Sequence, residues 1–282
     1  MTHMWRVYEA LAKELSVPVN QLRLLCEGYK VNYSDTLGSL DIDDDCSMQF
    51  MHTLVDGKPD IYLFPPAPLP FAKVSLTLVP QWGFTALCPV ANIVKITTGE
   101  STVSWRVSAG PQGLLVDLDS EEQTLTAHLC WEARPTGVSS SSSCAHHTSF
   151  FDPSSPSLNS SNGSALPFVL FLLYLQKTVA LLSLRPFIGS DMINYFLPSF
   201  IRIASRGQHI GFRFLPQAEY EPSARLQVEP KPDVVTRIFL LFRGVDENEA
   251  GTWKKADEVD WVEEVGVEEE KAREEGLFRV LE

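Results

Sequence analysis

Four polar residues among apolar neighbours hold the chain's best prospect of chemistry. Glu132 follows Trp131 at the end of a predicted strand, Arg213 and Arg237 lie within predicted strands, and Tyr195 sits on a predicted helix. Arginine presents a planar fork of donors that matches a carboxylate or a phosphate. Convergence of Glu132, Arg213 and Arg237, with Tyr195 nearby, would build a candidate ligand pocket and make the body of the chain an enzyme or a small-ligand-binding domain. The competing reading is structural, with the arginines in ion pairs or facing outward from their strands. Cys144, His146 and His147 are the nearest approach to a metal cluster. A structural zinc site takes about four ligands in fixed geometry, and this trio stands alone in a serine-rich stretch, so neither a metal nor a cofactor is expected. No Gly-rich phosphate loop, H-E-x-x-H or G-x-S-x-G occurs, which leaves P-loop, zincin and α/β-hydrolase readings without sequence support. No catalytic residue is assigned, and the sequence leans away from an enzyme.

The chain of 282 residues is long enough for two domains and 44% of it is hydrophobic, ample for a sizeable core. Its net charge of -13 argues against nucleic acid or anionic lipid as a partner, since both call for a cationic face. Much of that charge falls late. Residues 245–282 carry 14 acidic and 5 basic side chains, a net of -9, which reads as a solvated tail helix or, more sharply, an acidic docking segment for a basic partner. The five cysteines, Cys26, Cys46, Cys88, Cys130 and Cys144, show no tight spacing. An odd, scattered set fits a reducing compartment, cytoplasmic or nuclear, and Cys88 and Cys130 read as small core hydrophobes. No secretory signal is evident, so the sequons at Asn32, Asn159 and Asn162 read as coincidences in polar loops. The apolar stretch 165–184 has the length of a membrane span, but Gln176 and Lys177 interrupt it and a lysine at a helix centre costs about 3 kcal/mol to insert. It is read as a buried helix, with no membrane partner.

At the amino end, Val7, Ala10, Leu11 and Leu15 recur at helical spacing from Trp5 to Leu15. Leu22 to Cys26 reads as a strand, Glu27-Gly28-Tyr29-Lys30 as a turn, Val31 as resumed pairing, residues 34–40 as a capped turn and Met48 to Leu54 as a last strand. The run ELSVPVNQLRLLCEGYKVNYSDTLGSLDIDDDCSMQFMH resembles the ubiquitin/SUMO-like superfamily from its helix through its last strand. The resemblance implies a β-grasp module whose sheet offers an apolar surface to partner proteins, with Leu25 and Met51 at the positions that carry it and Leu22 and Leu24 turned to the helix. Two departures matter. Val55-Asp56-Gly57-Lys58-Pro59 replaces the family's terminal Gly-Gly, so conjugation is not expected, and the first two strands are absent. The last strand would then be an unpaired apolar edge, either covered by another segment or, as favoured here, left open because the chain is truncated.

From residue 58 onward the texture is β-rich. Ile61–Phe64, Lys73–Val79, Phe84–Leu87, Thr102–Val107, Leu114–Leu118 and Leu125–Trp131 read as strands of an antiparallel sandwich, with Trp105 and Trp131 as core anchors. Residues 135–165, with serines at 139 to 143, read as a flexible insertion. A helix over 167–183, a second from Ser190 to Ala204, and strands over Ile210–Leu215 and Val234–Gly244 follow. The segments KPDIYLFPP, LTLVPQWGFTALCPV, HLCWEA, FLPSFIRI, RFLPQAEYE and PKPDVVTRIFLLFRGV together resemble an uncharacterised β-rich domain family found in fungi and bacteria, which in fungi follows a ubiquitin-like module. That resemblance implies a layout but no activity. The fold class expected is α+β: a truncated β-grasp domain over 1–57, then an α+β body with a β-sandwich and helices over 58–282. The function expected is a non-enzymatic protein-interaction protein, with the ligand pocket as the alternative.

Overall fold

The computed structural model describes residues 4–15, 22–26, 29–31, 35–36, 48–52, 59–136, 150–268, 271, 274 and 276–282. Helices and sheets are both well represented and the fold is α+β. The first helix, α1 (Met4–Leu15), precedes β1 (Leu22–Cys26), β2 (Tyr29–Val31) and β3 (Met48–His52), an antiparallel sheet in the order β2-β1-β3. Met4 and Tyr8 are buried on one side of α1. The Tyr8 hydroxyl donates to the Val31 carbonyl at 2.7 Å and the Met4 N–H to the Asp35 carbonyl at 2.8 Å, tying helix to sheet. Leu24 stands opposite both Val31 and Phe50, while Arg23 faces Met51 and Leu25 faces Gln49. Opposed residues share a face. Positions 24, 31 and 50 therefore share one face of the sheet and positions 23, 25, 49 and 51 the other.

The body opens with β4 (Asp60–Phe64), β5 (Leu69–Leu78), β6 (Trp82–Cys88), β7 (Val94–Lys95), β8 (Ser101–Ala109), β9 (Leu115–Asp117), β10 (Leu125–Thr126) and β11 (Leu129–Pro135). It continues with β12 (Ser164–Leu166), α2 (Phe168–Leu181), α3 (Pro186–Ala204), β13 (His209–Phe214), α4 (Gln217–Tyr220), β14 (Ala224–Glu229), β15 (Val234–Thr236) and β16 (Leu240–Val245). Two short helices, α5 (Glu247–Ala250) and α6 (Trp261–Val265), lead to β17 (Arg279–Leu281). One sheet runs β10-β9-β8-β5-β14 with β7 also on β8, a second β15-β17-β4-β11-β6, and a third β12-β13-β16.

The body is layered. Ala72, Val74, Leu76 and Leu78 of β5 and Val103, Trp105 and Val107 of β8 point inward, while hydroxyls pair on the outer face at 2.8 Å, Ser75 with Ser104 and Thr77 with Thr102. The inward set meets Ile61, Leu63, Leu129, Trp131 and Val280 of the second sheet in one core. Strand β4 is buried on both sides, because Tyr62 and Phe64 face a second core formed with Phe171 and Leu175 of α2, Phe196 and Phe200 of α3, and Phe212 and Phe214 of β13. Burial of each such side chain contributes about 1.5–3 kcal/mol. The second sheet is thus the middle layer of the body.

Several expectations are corrected. Helix α2 buries Phe171, Leu175, Thr178 and Val179 but exposes Val169, Leu170, Leu173 and Leu181, so it is a one-sided helix rather than a buried one. Among the described residues no helix is long and apolar enough to cross a membrane. Helix α3 begins at Pro186 instead of Ser190, since proline at the first turn loses no intrahelical bond. The single strand expected over 234–244 is two, broken at Arg237–Phe239, and β15 runs parallel to β17. The insertion narrows as well. Residues 137–149, with Cys144, His146 and His147, lie outside the described residues, but Phe151 is in the first core and Ser164–Leu166 is a strand. Among the described residues the acidic stretch from 245 is not one continuous helix. It contributes buried Trp253, Trp261, Val265 and Phe278, a helix α6 capped by Asp260 and closed by Gly266 at φ +77°, and an inner strand, β17. Trp105 and Trp131 are fully buried as expected.

Candidate functional site

The break between β15 and β16 exists to seat Arg237. Its N–H donates to Gln217 Oε1 at 2.8 Å, and Ile238 N–H donates to the Glu282 carbonyl at 2.6 Å, so the backbone is satisfied although it leaves the ladder. The guanidinium is 2% exposed. Its Nε donates to Glu282 Oε2, and its Nη1 to Glu221 and the Ala224 carbonyl, while its plane lies 4.3 Å over the Tyr220 ring. Glu282 Oε1 accepts from Trp131 Nε1 and from the Tyr220 hydroxyl, each at 3.1 Å. Burial alone would lower the arginine's affinity for its proton, but Glu282, followed by Tyr220 and Glu221, outweighs it and holds the charge. Burial, followed by Glu282, pushes the Tyr220 phenol well above its ordinary range.

Arg213 is a second buried arginine, on β13, and its Nη2 donates to Glu219 at 2.7 Å. Glu219 and Glu221 flank Tyr220 at the end of α4, so this one short element answers both arginines. Glu132 does not join them. It alternates with Trp131 along β11, opposite Ala86, and so lies on the other face of the middle sheet. Tyr195 lies half-exposed on α3 with its ring against Phe196. The structure therefore brings Arg213 and Arg237 to a common helix, sets a protein carboxylate against each of them while Arg213 Nε and Arg237 Nη2 stay buried without a hydrogen-bond partner, and places Glu132 and Tyr195 on other elements.

A different polar group stands on that other face. Asp60, at the start of β4, is 5% exposed. Its Oδ2 accepts from the Tyr62 hydroxyl at 3.4 Å, and its Oδ1 lies 3.6 Å from His128 Nε2. The His128 ring is tilted against Tyr62 with centroids 5.3 Å apart. Burial first, then Asp60 and Asp191, pushes the Tyr62 phenol above its ordinary range. Cys130 stands opposite Asp60 on β4 and opposite Cys88 on β6, so Asp60, Cys130 and Cys88 form one row across three strands. Cys88 is exposed and Cys130 half-buried, which corrects the expectation that both are core hydrophobes: the row lies at the margin of the second core, not within it. A crevice lined by Asp60, Tyr62, Leu184, Ile188, Met192 and Phe196 opens beside the row.

An imidazole steadied by a carboxylate can hold and pass a proton, and two opposed thiols can exchange electrons. Among the described residues no group of histidine, cysteine and acidic side chains is placed to hold a metal ion. Sequence reasoning overlooked Asp60 and His128. The usable signal was His128 and Cys130 at a spacing of two in HLCWE, which sets them on one face of a strand.

Leu25 and Met51 lie on adjacent paired strands, at register positions that share one face of the sheet. No protein-family model and no curated protein sequence matches the chain.

Proposed function

We propose that this protein works by binding other proteins. Its helix and three-stranded sheet form a ubiquitin-like β-grasp lacking the opening hairpin, within residues 1–57, joined to the β-rich body over 58–282. The binding surface is the face that carries Leu25 and Met51. The observation that supports this most directly is the pairing of β1 with β3, in which Arg23 stands opposite Met51 and Leu25 opposite Gln49, so that positions 25 and 51 share a face of the sheet. Strand β3 is an edge of its sheet among the described residues, and such an edge is an additional place for a partner's backbone. The ligand-pocket alternative loses support because the Arg213 and Arg237 forks already hold Glu219, Glu221 and Glu282. With a net charge of -13, the partner is a protein and not nucleic acid. The scattered, odd-numbered cysteines favour the cytoplasm or nucleus.

The test uses the full chain, immobilised, beside Leu25→Asp and Met51→Asp. Partners captured by the parent should be lost from both variants, a fall of at least about tenfold if these are central contacts worth roughly 2 kcal/mol each. Thermal unfolding of the body should not move. Retention of every partner by both variants overturns the reading.

A further inference from the structure

We propose that Cys88 and Cys130 are a redox-active dithiol, oxidised to a cross-strand disulfide by a hydroperoxide and reopened by a small-molecule thiol. They are direct partners in the antiparallel pairing of β6 with β11, so their side chains leave the same face of the sheet. Neither is in a disulfide, and they differ in access: Cys88 is exposed at the end of an edge strand, whereas Cys130 is half-buried on the inner strand. That asymmetry divides the work, with the outer thiol meeting the oxidant and the inner one resolving the product.

The backbone indicates what kind of disulfide would form. Trp131 N–H donates to the Pro59 carbonyl on the β4 side, at 3.4 Å. Backbone groups alternate in direction along a strand, so those of Cys130 point to β6, and Cys88 with Cys130 is a hydrogen-bonded pair. The Cα atoms of such a pair are about 5.5 Å apart, inside the range of about 4.4–6.8 Å that a disulfide spans. The Cβ atoms of hydrogen-bonded pairs sit toward the wide end of about 4.5–5.5 Å, beyond the usual disulfide spacing of about 3.8 Å. Closure is within reach but pulls the strands together locally. A strained, accessible disulfide is readily reduced, which makes this pair a reversible site and not a staple.

The chemistry balances in two steps. The Cys88 sulfur attacks the terminal oxygen of the hydroperoxide; an S–O bond forms as the O–O bond breaks, and the proton lost from the thiol ends on the departing alkoxide. The Cys130 sulfur then attacks the sulfenic sulfur of Cys88. An S–S bond forms, the S–O bond breaks, and hydroxide leaves with the Cys130 proton as water. Two thiols have lost two electrons and the hydroperoxide has become an alcohol and water. Two molecules of a small thiol restore both cysteines and leave as a disulfide.

The experiment treats the reduced full chain with one equivalent of hydrogen peroxide, alkylates the remaining thiols and maps the peptides. The expected product joins the Cys88 and Cys130 peptides and disappears after exposure to glutathione. In Cys130→Ser the link is lost and a dimedone-trapped sulfenic acid accumulates on Cys88; in Cys88→Ser both signals are lost. The parent measurement needs no substitution, so a folding defect in a variant cannot decide the outcome. Four parent results overturn the proposal: both thiols left unoxidised, Cys88 driven to sulfinic acid while Cys130 still alkylates, Cys88 joined instead to Cys26, Cys46, Cys144 or a second chain, or a link that glutathione does not reverse.

Discussion

Replacing Glu282 by glutamine removes one charge and changes the shape of its site very little. The parent carboxylate receives Arg237 Nε on one oxygen and Trp131 Nε1 with the Tyr220 hydroxyl on the other. An amide in the same place has only one acceptor oxygen, so in either orientation its NH2 group faces a donor. Glu221 remains as a counter-charge, but its side chain is 44% exposed and Glu282 is 2% exposed, so most of the compensation for the guanidinium is lost. Leaving a buried charge uncompensated costs about 3–5 kcal/mol, and the same range holds for Arg237→Met, which strands the carboxylate instead. The double variant Arg237→Met/Glu282→Gln buries no charge, and its amide oxygen still accepts from Trp131 and Tyr220. It should therefore be more stable than the sum of the single effects by up to about 3 kcal/mol.

Equilibrium urea unfolding followed by tryptophan fluorescence reads this directly, with Trp131 inside the cluster as reporter. Each single variant should lower the unfolding midpoint with an unchanged slope, and the double should fall short of additivity. Single losses below about 1 kcal/mol, or additivity within about 0.5 kcal/mol, would show that Arg237 and Glu282 are not a dry pair.

Two further outcomes follow from the packing. Tyr62 and Tyr220 have phenols raised above the ordinary value of 10.0. Their contribution to stability is fully present below that value and is lost as pH rises through it, because only the unfolded chain can then release the proton, at about 1.4 kcal/mol per pH unit for each phenol. Urea midpoints measured from about pH 9 to pH 11 should fall with a slope that Tyr62→Phe reduces by one proton; an unchanged slope would contradict the buried phenol. At Gly211 a Cβ would lie 2.5 Å from Val245 and 2.9 Å from Trp253, whereas at Gly251 it would meet nothing within 4 Å on helical backbone. Gly211→Ala should cost about 1–3 kcal/mol by overpacking and Gly251→Ala should be neutral or stabilising by about 0.4–1 kcal/mol, compared by thermal melting.

Alternation made the first half of the body legible. Val74, Leu76 and Leu78 separated by Ser75 and Thr77 identify an inward face without any tertiary information, and β5 is built that way. The pattern failed where pairing, and not composition, makes the strand. Ala224–Glu229 is a strand because its backbone completes the edge of β5, although Arg225, Gln227 and Glu229 give it little apolar signal. Arg237 breaks a run of apolar residues that reads as continuous, since a buried ion pair with a carboxylate far along the chain cannot be read from a local window. Helix α2 misled in the opposite direction. It is apolar nearly all round, yet only one side has neighbours. The candidate site was least legible of all, because Asp60, Cys88 and Cys130 become a row only through the register of β4, β11 and β6.

The middle sheet explains why the two polar clusters differ in what they can do. On the sandwich side Glu282 and Arg237 face each other, with Trp131, Tyr220, Glu221 and the Ala224 carbonyl as their further partners. On the helix side the polar row runs outward, from buried Asp60 through half-buried Cys130 and His128 to exposed Cys88. A dry pair holds one geometry and can serve only the fold, whereas a row that reaches solvent can meet a small molecule and change its covalent state. The arginines that looked chemical in the sequence are each engaged by a carboxylate of the chain, and the capacity for reaction proposed here lies with the cysteines that looked like packing.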